Sequence, residues 1–332
     1  MKRIVVVGFG FMGLTHTKNI LENPDLELVA IADKNPEVID KNIDELKGNF
    51  STGTISPEKL SNIPRYASFD EMLRYEDFDA VFICVHVDLH YELARKALLC
   101  GKHVFLEKPF TLDIKQAEEL ISLSKKKETI LMVGHVVRFM PAYRKLKEWI
   151  AGNEFGKLSF LSLSRFSGVP AWGEWKEKRV AFGSSGGALF DLMIHDIDFA
   201  NSVLGQPGSI NSNFLRGVLS KHDYISAMWS YYDKNITVKI EGGNIFHSAY
   251  PFIAGYNAIF EKATIVYSTE KPEVIEIAND DEIATVEIGV PNEGFSNEVN
   301  YFAQCLARNL QPFECMPDSS LQTIQLCYNH LS

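Results

Sequence analysis

A histidine with an aspartate four residues before it, and a lysine followed by a proline, are the side chains of this chain best suited to catalysis. If residues 187–204 form a helix, Asp191 and His195 share one face of it, because positions i and i+4 are neighbours. An imidazole pKa near 6.5 suits general acid/base work. Apolar residues surround the pair, so a core histidine capped by Asp191 is the structural alternative. No third histidine or cysteine stands at ligand spacing, so the sequence predicts no metal site.

Lys108 follows a short apolar run that ends in Glu107, and it precedes Pro109. The proline biases Lys108 toward extended backbone and permits a cis peptide bond, so the direction of the ammonium is restricted. A fixed cation of this kind can stabilise an alkoxide that develops on a substrate. Two other interpretations are a general base, which requires a strongly lowered pKa, and a surface lysine at the end of a strand.

Three glycines near the N-terminus, Gly8, Gly10 and Gly13, have the spacing of a dinucleotide-binding turn. The turn lies between a β-branched run typical of a buried strand and an apolar pattern that predicts a helix. Glycines let the backbone approach a pyrophosphate, which binds the N–H groups at the start of such a helix. Phe11 and Met12 stand within this turn, so we expect them at the same cofactor site.

A second apolar run ends in Asp33, whose carboxylate can accept both ribose hydroxyls of an adenosine. A carboxylate about 4 Å from a 2′-phosphate costs on the order of 4 kcal/mol at an effective dielectric of about 20. Asp33 therefore favours NAD over NADP as the cofactor. Lys34 offsets part of this preference if its ammonium binds the phosphate.

Strand and helix patterns alternate from Met1 to about Ile150, which predicts a doubly wound α/β fold with a parallel sheet. Ligands on such sheets bind beyond the carboxyl ends of the strands. Besides the glycine turn, this rule selects the segment after Val85 and the segment that begins with Glu107 and Lys108. We therefore expect Glu107 and Lys108 at the edge of the sheet where the cofactor binds.

The pattern changes near Ile150, where β-rich runs begin to follow one another with a single helix, over 187–204, among them. Strands in sequence without crossovers predict an α+β domain with a mainly antiparallel sheet. The predicted strands after that helix are Ser209–Val218, Tyr224–Tyr232, Ile236–Glu241, Ala258–Tyr267, Val274–Ala278 and Ile283–Ile288.

A chain of 332 residues exceeds one ordinary core, so two domains are expected. We predict a dinucleotide-binding domain over 1–134 and a substrate-binding domain over 135–332. The chain closes with helical patterns over Asn297–Asn309 and Asp318–Leu331. One of these helices is a candidate to pack back on the first domain.

Two further segments are candidates for substrate contacts. Arg138 follows the sixth predicted strand, and its donor fork suits a hydroxyl, carboxylate or phosphate, although a salt bridge between domains is an equal alternative. Trp172, Trp175 and Arg179 are candidate pocket residues because an indole can stack on a sugar face, or they close a domain interface. Residues 183–187 match the G-x-S-x-G pattern, but no buried strand precedes them, so a hydrolase elbow is not predicted.

Charge and cysteine content exclude several classes of protein. A net charge of −10 argues against binding to a nucleic-acid backbone. Five scattered cysteines without a C-x-x-C pair suit neither a disulfide framework nor a thiolate metal site. The first apolar run breaks at Gly8, too early for a signal peptide, and no segment approaches the roughly 20 apolar residues of a membrane span. We expect a cytoplasmic protein with free thiols.

Together these motifs resemble the glucose–fructose oxidoreductase / inositol dehydrogenase / MocA-like (Gfo/Idh/MocA) family over nearly the whole chain. The most specific marks are Glu107-Lys108-Pro109 and the Asp191-x-x-x-His195-Asp196 helix. The resemblance implies an NAD(P) site at the glycine turn, with His90 beside it. It also implies a catalytic centre lined by the lysine of the first mark and by the aspartate and histidine of the second. The chain departs from the family at Val85–Leu89, where Thr-Pro-Asn is common, and at Val136–Val137.

On this basis we expect hydride transfer between a nicotinamide and a secondary hydroxyl or keto group of a sugar, cyclitol or nucleotide-sugar. His195 is the expected acid/base, Asp191 orients it or binds a second hydroxyl, and Lys108 stabilises the alkoxide. Arg138 and Trp172 are expected to contact the substrate. The alternative is a nicotinamide-binding sensor of the same fold without turnover. The resemblance further implies a homodimer or homotetramer formed through the sheet of the second domain.

Overall fold

The computed structural model describes residues 1–39, 55–169, 186–290 and 292–332. By internal contacts the chain divides into two units. The first unit comprises Met1–His135 and Phe295–Leu321, and the second comprises Val136–Gly294 and Gln322–Ser332. The predicted domain boundary lies between residues 134 and 135, one residue before the point where the first unit gives way to the second, between His135 and Val136. The sequence suggested only that a closing helix returns to the first domain, whereas residues 295–321 form part of the first unit.

Fourteen strands and eight α-helices account for most of the described residues. The helices are α1 (Phe11–Glu22), α2 (Phe69–Tyr75), α3 (His90–Leu99), α4 (Ile114–Lys126), α5 (Pro141–Gly152), α6 (Ile194–Leu204), α7 (Glu293–Arg308) and α8 (Pro317–Asn329). The strands are β1 (Lys2–Val7), β2 (Leu26–Ala32), β3 (Arg65–Tyr66), β4 (Ala80–Ile83), β5 (His103–Glu107), β6 (Leu131–Gly134), β7 (Leu158–Gly168), β8 (Ser209–Leu215), β9 (Tyr224–Tyr231), β10 (Ile236–Phe246), β11 (Ile253–Phe260), β12 (Thr264–Ser268), β13 (Val274–Ala278) and β14 (Ile283–Glu287).

The first unit is built on a six-stranded sheet in the order β3-β2-β1-β4-β5-β6, with every neighbouring pair parallel. The predicted doubly wound α/β fold is confirmed. All four residues of β4 are buried, as a strand covered on both faces requires. Phe82 and Phe105 stack with ring centroids 4.5 Å apart, and Phe302 from α7 makes T-shaped contacts with both rings.

The sequence from Pro36 to Lys47 predicts a helix, and the structure describes only the start of this segment. A short 3-10 turn covers Pro36–Val38. The rest of that prediction, from residue 40 to Lys47, lies outside the described residues.

The second unit contains an eight-stranded sheet in the order β14-β13-β12-β11-β7-β10-β9-β8. All neighbouring pairs are antiparallel except β7 and β10, so the predicted mainly antiparallel sheet is confirmed. Apolar side chains of β9 and β10 form much of its core, and Trp229 and Ile240 are fully buried.

The single strand predicted over Ala258–Tyr267 is wrong, because the chain reverses within it. β11 ends at Phe260 and β12 begins at Thr264, and the Phe260 N–H donates to the Ala263 carbonyl at 2.8 Å across the turn. Glu261 and Lys262, both exposed, interrupt the β-rich run at this point. Two polar residues inside an otherwise apolar run were the signal for a hairpin.

No helix of the described residues is long and apolar enough to cross a membrane.

Candidate active site

Gly8 and Gly13 occupy positions in the glycine turn where a side chain does not fit. Gly8 has a φ of +89°, and a Cβ there would lie 2.6 Å from the carbonyl oxygen of Cys84. A Cβ on Gly13 would lie 1.9 Å from the carbonyl oxygen of Gly8. Glycine is therefore required at both positions for the turn to pack against the end of β4 and to begin α1.

Gly10 differs from the other two glycines, because a Cβ there would meet no atom of the described residues within 4 Å. It stands directly before α1, and no side chain of the described residues caps that helix N-terminus. Phe11 and Met12 are half-buried in the first turn of the helix. A helix N-terminus that no described side chain caps or covers is what a pyrophosphate needs, so this part of the chain fits a dinucleotide.

The Asp33 carboxylate is held against the glycine turn by main-chain donors. The N–H of Phe9 donates to Oδ2 at 2.8 Å, and the N–H of Asn35 donates to Oδ1 at 2.9 Å. Each carboxylate oxygen has a second lone pair, so both can still accept a hydroxyl. Lys34 is exposed beside it. The acid and the turn thus form one preorganised structure in the first unit.

Glu107, predicted at the cofactor edge, is buried in the first unit and contacts α1. The residue is 5% exposed, and its Oε1 lies 2.6 Å from Nε2 of His16 on α1. Its Oε2 accepts the N–H of Lys108 at 3.1 Å. In this structure Glu107 supports the backbone of Lys108.

Lys108 is half-buried, and its peptide bond to Pro109 is cis. His90, at the start of α3, contacts the segment that follows Lys108. Its Nδ1 lies 2.9 Å from the Pro109 carbonyl oxygen. The other ring nitrogen lies 3.0 Å from the Val85 carbonyl oxygen. Burial lowers the pKa of His90, although these carbonyls oppose the shift. Both ring nitrogens face the main chain, so we propose that His90 shapes the cofactor site by joining the segments after β4 and β5.

The predicted catalytic helix is not a regular α-helix throughout. Leu189–Met193 forms a π-helical turn that continues directly into α6. Asp191 lies within the π turn and His195 near the start of α6, and both are half-buried while their neighbours are buried. Because a π turn has more residues per turn than an α-helix, positions i and i+4 remain close to one face. Such turns are rare and recur at functional sites.

Gly242 on β10 allows the π turn to pack closely on the sheet. A Cβ at Gly242 would lie 2.0 Å from the Arg165 carbonyl oxygen and 2.8 Å from Sδ of Met193. The sequence predicted that this strand ends at Glu241, but β10 continues through the glycines to Phe246. The absence of a side chain at Gly242 therefore helps to fix the height of the helix above the sheet.

Asp196, next to His195, is anchored by Arg165 of β7, a pairing that the sequence did not predict. The guanidinium donates from Nε at 2.7 Å and from Nη2 at 3.0 Å to the two oxygens of Asp196, and both side chains are buried. Burial alone lowers the pKa of Arg165, but the adjacent carboxylate raises it, and the net shift is upward. The alternation of Leu161, Leu163 and Arg165 along one strand indicates that the arginine is buried, but it does not indicate which acid the arginine pairs with.

Arg138 forms a second buried ion pair with the same helix. It lies on a 3-10 turn over Val136–Phe139, and its Nε and Nη2 donate to Asp198 at 2.7 and 2.6 Å. The hydroxyl of Thr323 on α8 donates to the same carboxylate at 2.8 Å. Arg138 is 3% exposed. Both partners of this ion pair belong to the second unit, and these contacts favour support of α6 over direct contact with a substrate.

Several predicted site residues cannot be placed. Trp172, Trp175, Arg179 and residues 183–185 lie outside the described residues. Among the residues that the structure describes, no group of three or more histidine, cysteine, aspartate or glutamate side chains could hold a metal ion.

Each unit of the chain matches a model of the same protein family. Residues 2–135 match the oxidoreductase family with an NAD-binding Rossmann fold (GFO_IDH_MocA), and residues 143–266 match the GFO/IDH/MocA C-terminal domain. The chain belongs to the Gfo/Idh/MocA oxidoreductase family. The family expected from the motifs is thereby confirmed, and the glycine turn and Asp33 lie in the NAD-binding part of a Gfo/Idh/MocA protein.

Relatives of this Gfo/Idh/MocA protein include enzymes named for cyclitols and sugars. A myo-inositol 2-dehydrogenase of Thermotoga maritima is 32% identical over 204 residues, which are 61% of this chain and 55% of the relative. The matched stretch thus spans just over half the length of that relative. A UDP-N-acetylglucosamine 3-dehydrogenase from Acidithiobacillus ferrooxidans superposes with a TM-score of 0.79 at 21% identity, covering 99% of this chain and 96% of that chain. A levoglucosan dehydrogenase in complex with NADH and levoglucosan gives a TM-score of 0.84 at 18% identity, with 99% and 96% covered. At these identities the two structures establish a shared fold.

Proposed function

We propose that this protein is an NAD-dependent dehydrogenase that acts on a secondary hydroxyl or keto group of a sugar, cyclitol or nucleotide-sugar. The observation that carries the proposal is a contrast within one helical segment. Asp196 and Asp198 are fully buried and paired with arginines, whereas Asp191 and His195 keep part of their surface exposed. A histidine and a carboxylate that stay accessible on a firmly anchored helix suit acid/base work on a ligand.

The first unit would hold the cofactor through main-chain N–H groups at the start of α1 and through the carboxylate of Asp33. The N-terminus of α1 binds the pyrophosphate above Gly10, and Asp33 accepts the adenosine ribose hydroxyls. When bound, the nicotinamide ring supplies or accepts the hydride. The negative charge fixed at Asp33 favours NAD, because a 2′-phosphate would approach it.

His195 is the proposed acid/base of the reaction. During oxidation it removes the proton of the reacting hydroxyl, and during reduction it returns that proton to the oxygen. Asp191 orients the imidazole or accepts a second hydroxyl of the substrate. Polyhydroxylated substrates present such neighbouring hydroxyls, which agrees with the substrates in the names of the relatives.

Lys108 is proposed to stabilise the negative charge that develops on the reacting oxygen. Its backbone is fixed by Glu107 on one side and by the His90–Pro109 contact on the other, so its ammonium has a limited range. One fixed donor to a developing oxyanion is worth roughly 3–4 kcal/mol. The weaker alternative is Lys108 as the general base.

Turnover is tested with purified protein, NAD⁺ and a panel of myo-inositol, scyllo-inositol, levoglucosan, aldoses and UDP-N-acetylglucosamine, with NADH absorbance as the readout. We expect at least one substrate to be oxidised. His195→Ala and Lys108→Ala should each lower kcat by about 100-fold or more, while NADH still binds. Lys115→Ala, an exposed lysine on α4, is the control and should keep full activity.

The competing function is a nicotinamide-binding sensor without turnover. It is favoured by the departure from the family pattern at Val85–Leu89, where His86 contacts Asp88 at the surface. NADH binding with no turnover on the entire panel would support the sensor. Oxidation of any polyol that depends on His195 excludes it.

We further propose that copies of the chain associate through the eight-stranded sheet. Large apolar side chains on its strands are exposed, among them Met228 and Ile283. Light scattering coupled to gel filtration should give a dimer or tetramer. The five cysteines form no disulfide, which agrees with a proposed cytoplasmic location.

A further inference from the structure

His16 is a fully buried histidine that the proposed reaction does not use. It lies on α1, one turn beyond Gly13, with 0% of its surface exposed. Three phenylalanine rings surround the imidazole, with centroids 4.9 Å (Phe105), 5.6 Å (Phe82) and 6.3 Å (Phe295) away. A polar ring inside an aromatic cage is costly unless a specific partner satisfies it.

Glu107 is that partner. Nε2 of His16 lies 2.6 Å from Oε1 of Glu107, and a carboxylate acceptor at this point selects the tautomer with a proton on Nε2. The other imidazole nitrogen has no hydrogen-bond partner among the described residues, so this bond is the one polar contact of the ring there. The aromatic cage leaves the imidazole little freedom to turn. The hydrogen bond from this imidazole therefore fixes the position of the Glu107 carboxylate.

The second oxygen of Glu107 transmits this restraint to Lys108. Oε2 accepts the Lys108 N–H at 3.1 Å, so the carboxylate joins the imidazole to the backbone that carries the ammonium. Gly134 on the neighbouring strand leaves room for this arrangement, since a Cβ there would lie 3.0 Å from Cζ of Phe105 and 3.4 Å from Oε1 of Glu107.

We propose that His16 is a positioning residue that sets the place of the Lys108 ammonium through Glu107. The inference rests on the proposed function, in which Lys108 stabilises the reacting oxygen. Because α1 begins at the glycine turn, one helix then supports both the pyrophosphate site at its N-terminus and Lys108 through its buried face. A displacement of about 1 Å in a catalytic group can cost about 100-fold in rate, so an indirect residue of this kind has a large effect.

Two substitutions separate the hydrogen bond from the bulk of the ring. In His16→Gln the amide nitrogen can occupy nearly the position of Nε2 and donate to Glu107. In His16→Asn the amide is one methylene shorter, and its nitrogen falls near the position of Nδ1, out of reach of the carboxylate. Thr17→Val is the control, since Thr17 is the next buried residue of α1 and its hydroxyl has no partner among the described residues.

The first readout is independent of turnover. Acetic anhydride acetylates amines in the unprotonated form, so labelling of Lys108 across a range of pH, measured by peptide mass spectrometry with Lys115 as internal reference, reports the environment of the ammonium. We expect His16→Asn to change the Lys108 labelling profile while that of Lys115 stays constant. His16→Gln and Thr17→Val should reproduce the wild-type profile. This readout remains valid if no substrate of the panel is oxidised, so it distinguishes failure of the inference from failure of the proposed function.

The second readout is kinetic. On the best substrate of the panel, His16→Asn should lower kcat by about 10- to 100-fold with little change in the Kd of NADH, and His16→Gln should restore most of the loss. Equal behaviour of the Asn and Gln variants, or an unchanged Lys108 profile in His16→Asn, overturns the proposal. If His16→Asn does not fold, the same comparison is made with Glu107→Gln, which keeps an acceptor for the Lys108 N–H, and Glu107→Leu, which does not.

Discussion

Gly10 and Gly13 stand three residues apart in the glycine turn, yet a side chain would meet different surroundings at each. At Gly13 a Cβ would lie 1.9 Å from a carbonyl oxygen, whereas at Gly10 it would meet no atom of the described residues within 4 Å. Gly13→Ala should therefore destabilise the free protein by about 3 kcal/mol or more. Gly10→Ala should leave the melting temperature of the free protein unchanged but weaken NADH binding by roughly tenfold, about 1.4 kcal/mol. Thermal melts without cofactor and NADH fluorescence titrations test both; a lower melting temperature for Gly10→Ala would contradict this account.

Asp33 is a second residue at which one side chain decides a property of the site. Its carboxylate is fixed by two main-chain N–H groups and cannot easily turn away from a 2′-phosphate. We expect NADH to bind at least about tenfold more tightly than NADPH, and Asp33→Asn to reduce that ratio by a similar factor. Lys34→Ala should move the ratio in the opposite direction. Fluorescence titrations with both cofactors measure it, and equal affinities in the wild type would refute the electrostatic argument.

At the scale of elements, α6 depends on two buried ion pairs with residues far away in the sequence. Arg165→Met leaves the Asp196 carboxylate buried without its partner, which should cost about 3–5 kcal/mol. The double variant Arg165→Met/Asp196→Leu removes both charges and should recover most of that loss. Urea unfolding of the wild type, the single variant and the double variant gives the comparison. If the double variant is as unstable as the single one, the ion pair stabilises the protein through the packing of its side chains and not through compensation of a buried charge.

The C-terminus of the chain is attached to the sheet of the second unit through a neutral histidine. The indole N–H of Trp229 donates to Nε2 of His330 at 3.0 Å, so the remaining proton is on Nδ1, which donates to the Leu326 carbonyl. Burial lowers the pKa of His330, although that carbonyl opposes the shift.

A histidine whose pKa is lowered in the folded state takes up its proton more readily when unfolded. The free energy of unfolding should therefore fall as pH drops from about 6.5, the ordinary histidine value, through the lowered pKa of His330. The slope from this residue is at most about 1.4 kcal/mol per pH unit. In His330→Gln, urea unfolding between neutral and mildly acidic pH should lose part of that slope. An identical pH dependence in the variant would exclude His330 as its source.

At the scale of the whole molecule, the order of strand and helix patterns along the chain predicted the architecture better than it predicted the buried contacts that hold the site residues in place. Alternation of strands and helices up to Ile150 was enough for the parallel sheet, because neighbouring elements of such folds are linked by short crossovers. Arg165 and Asp196 are 31 residues apart. No periodic signal joins residues on separate elements, so this pairing could not be predicted. The π turn was also missed, since apolar spacing alone cannot distinguish one extra residue in a helical turn.

The division of the chain gives a last prediction. All residues of the glycine turn lie before His135, yet residues 295–321 belong to the same unit, and Phe302 of that segment is fully buried against Phe82 and Phe105. Phe302→Ala should cost about 3–5 kcal/mol, and a chain ending at residue 294 should lose NADH binding although it retains the entire turn. Phe313→Ala is the matched control, because Phe313 lies in the same segment and is 75% exposed. Calorimetry with and without NADH measures these effects; a chain ending at 294 that binds NADH as well as the full chain would show that the cofactor site is complete without the returning segment.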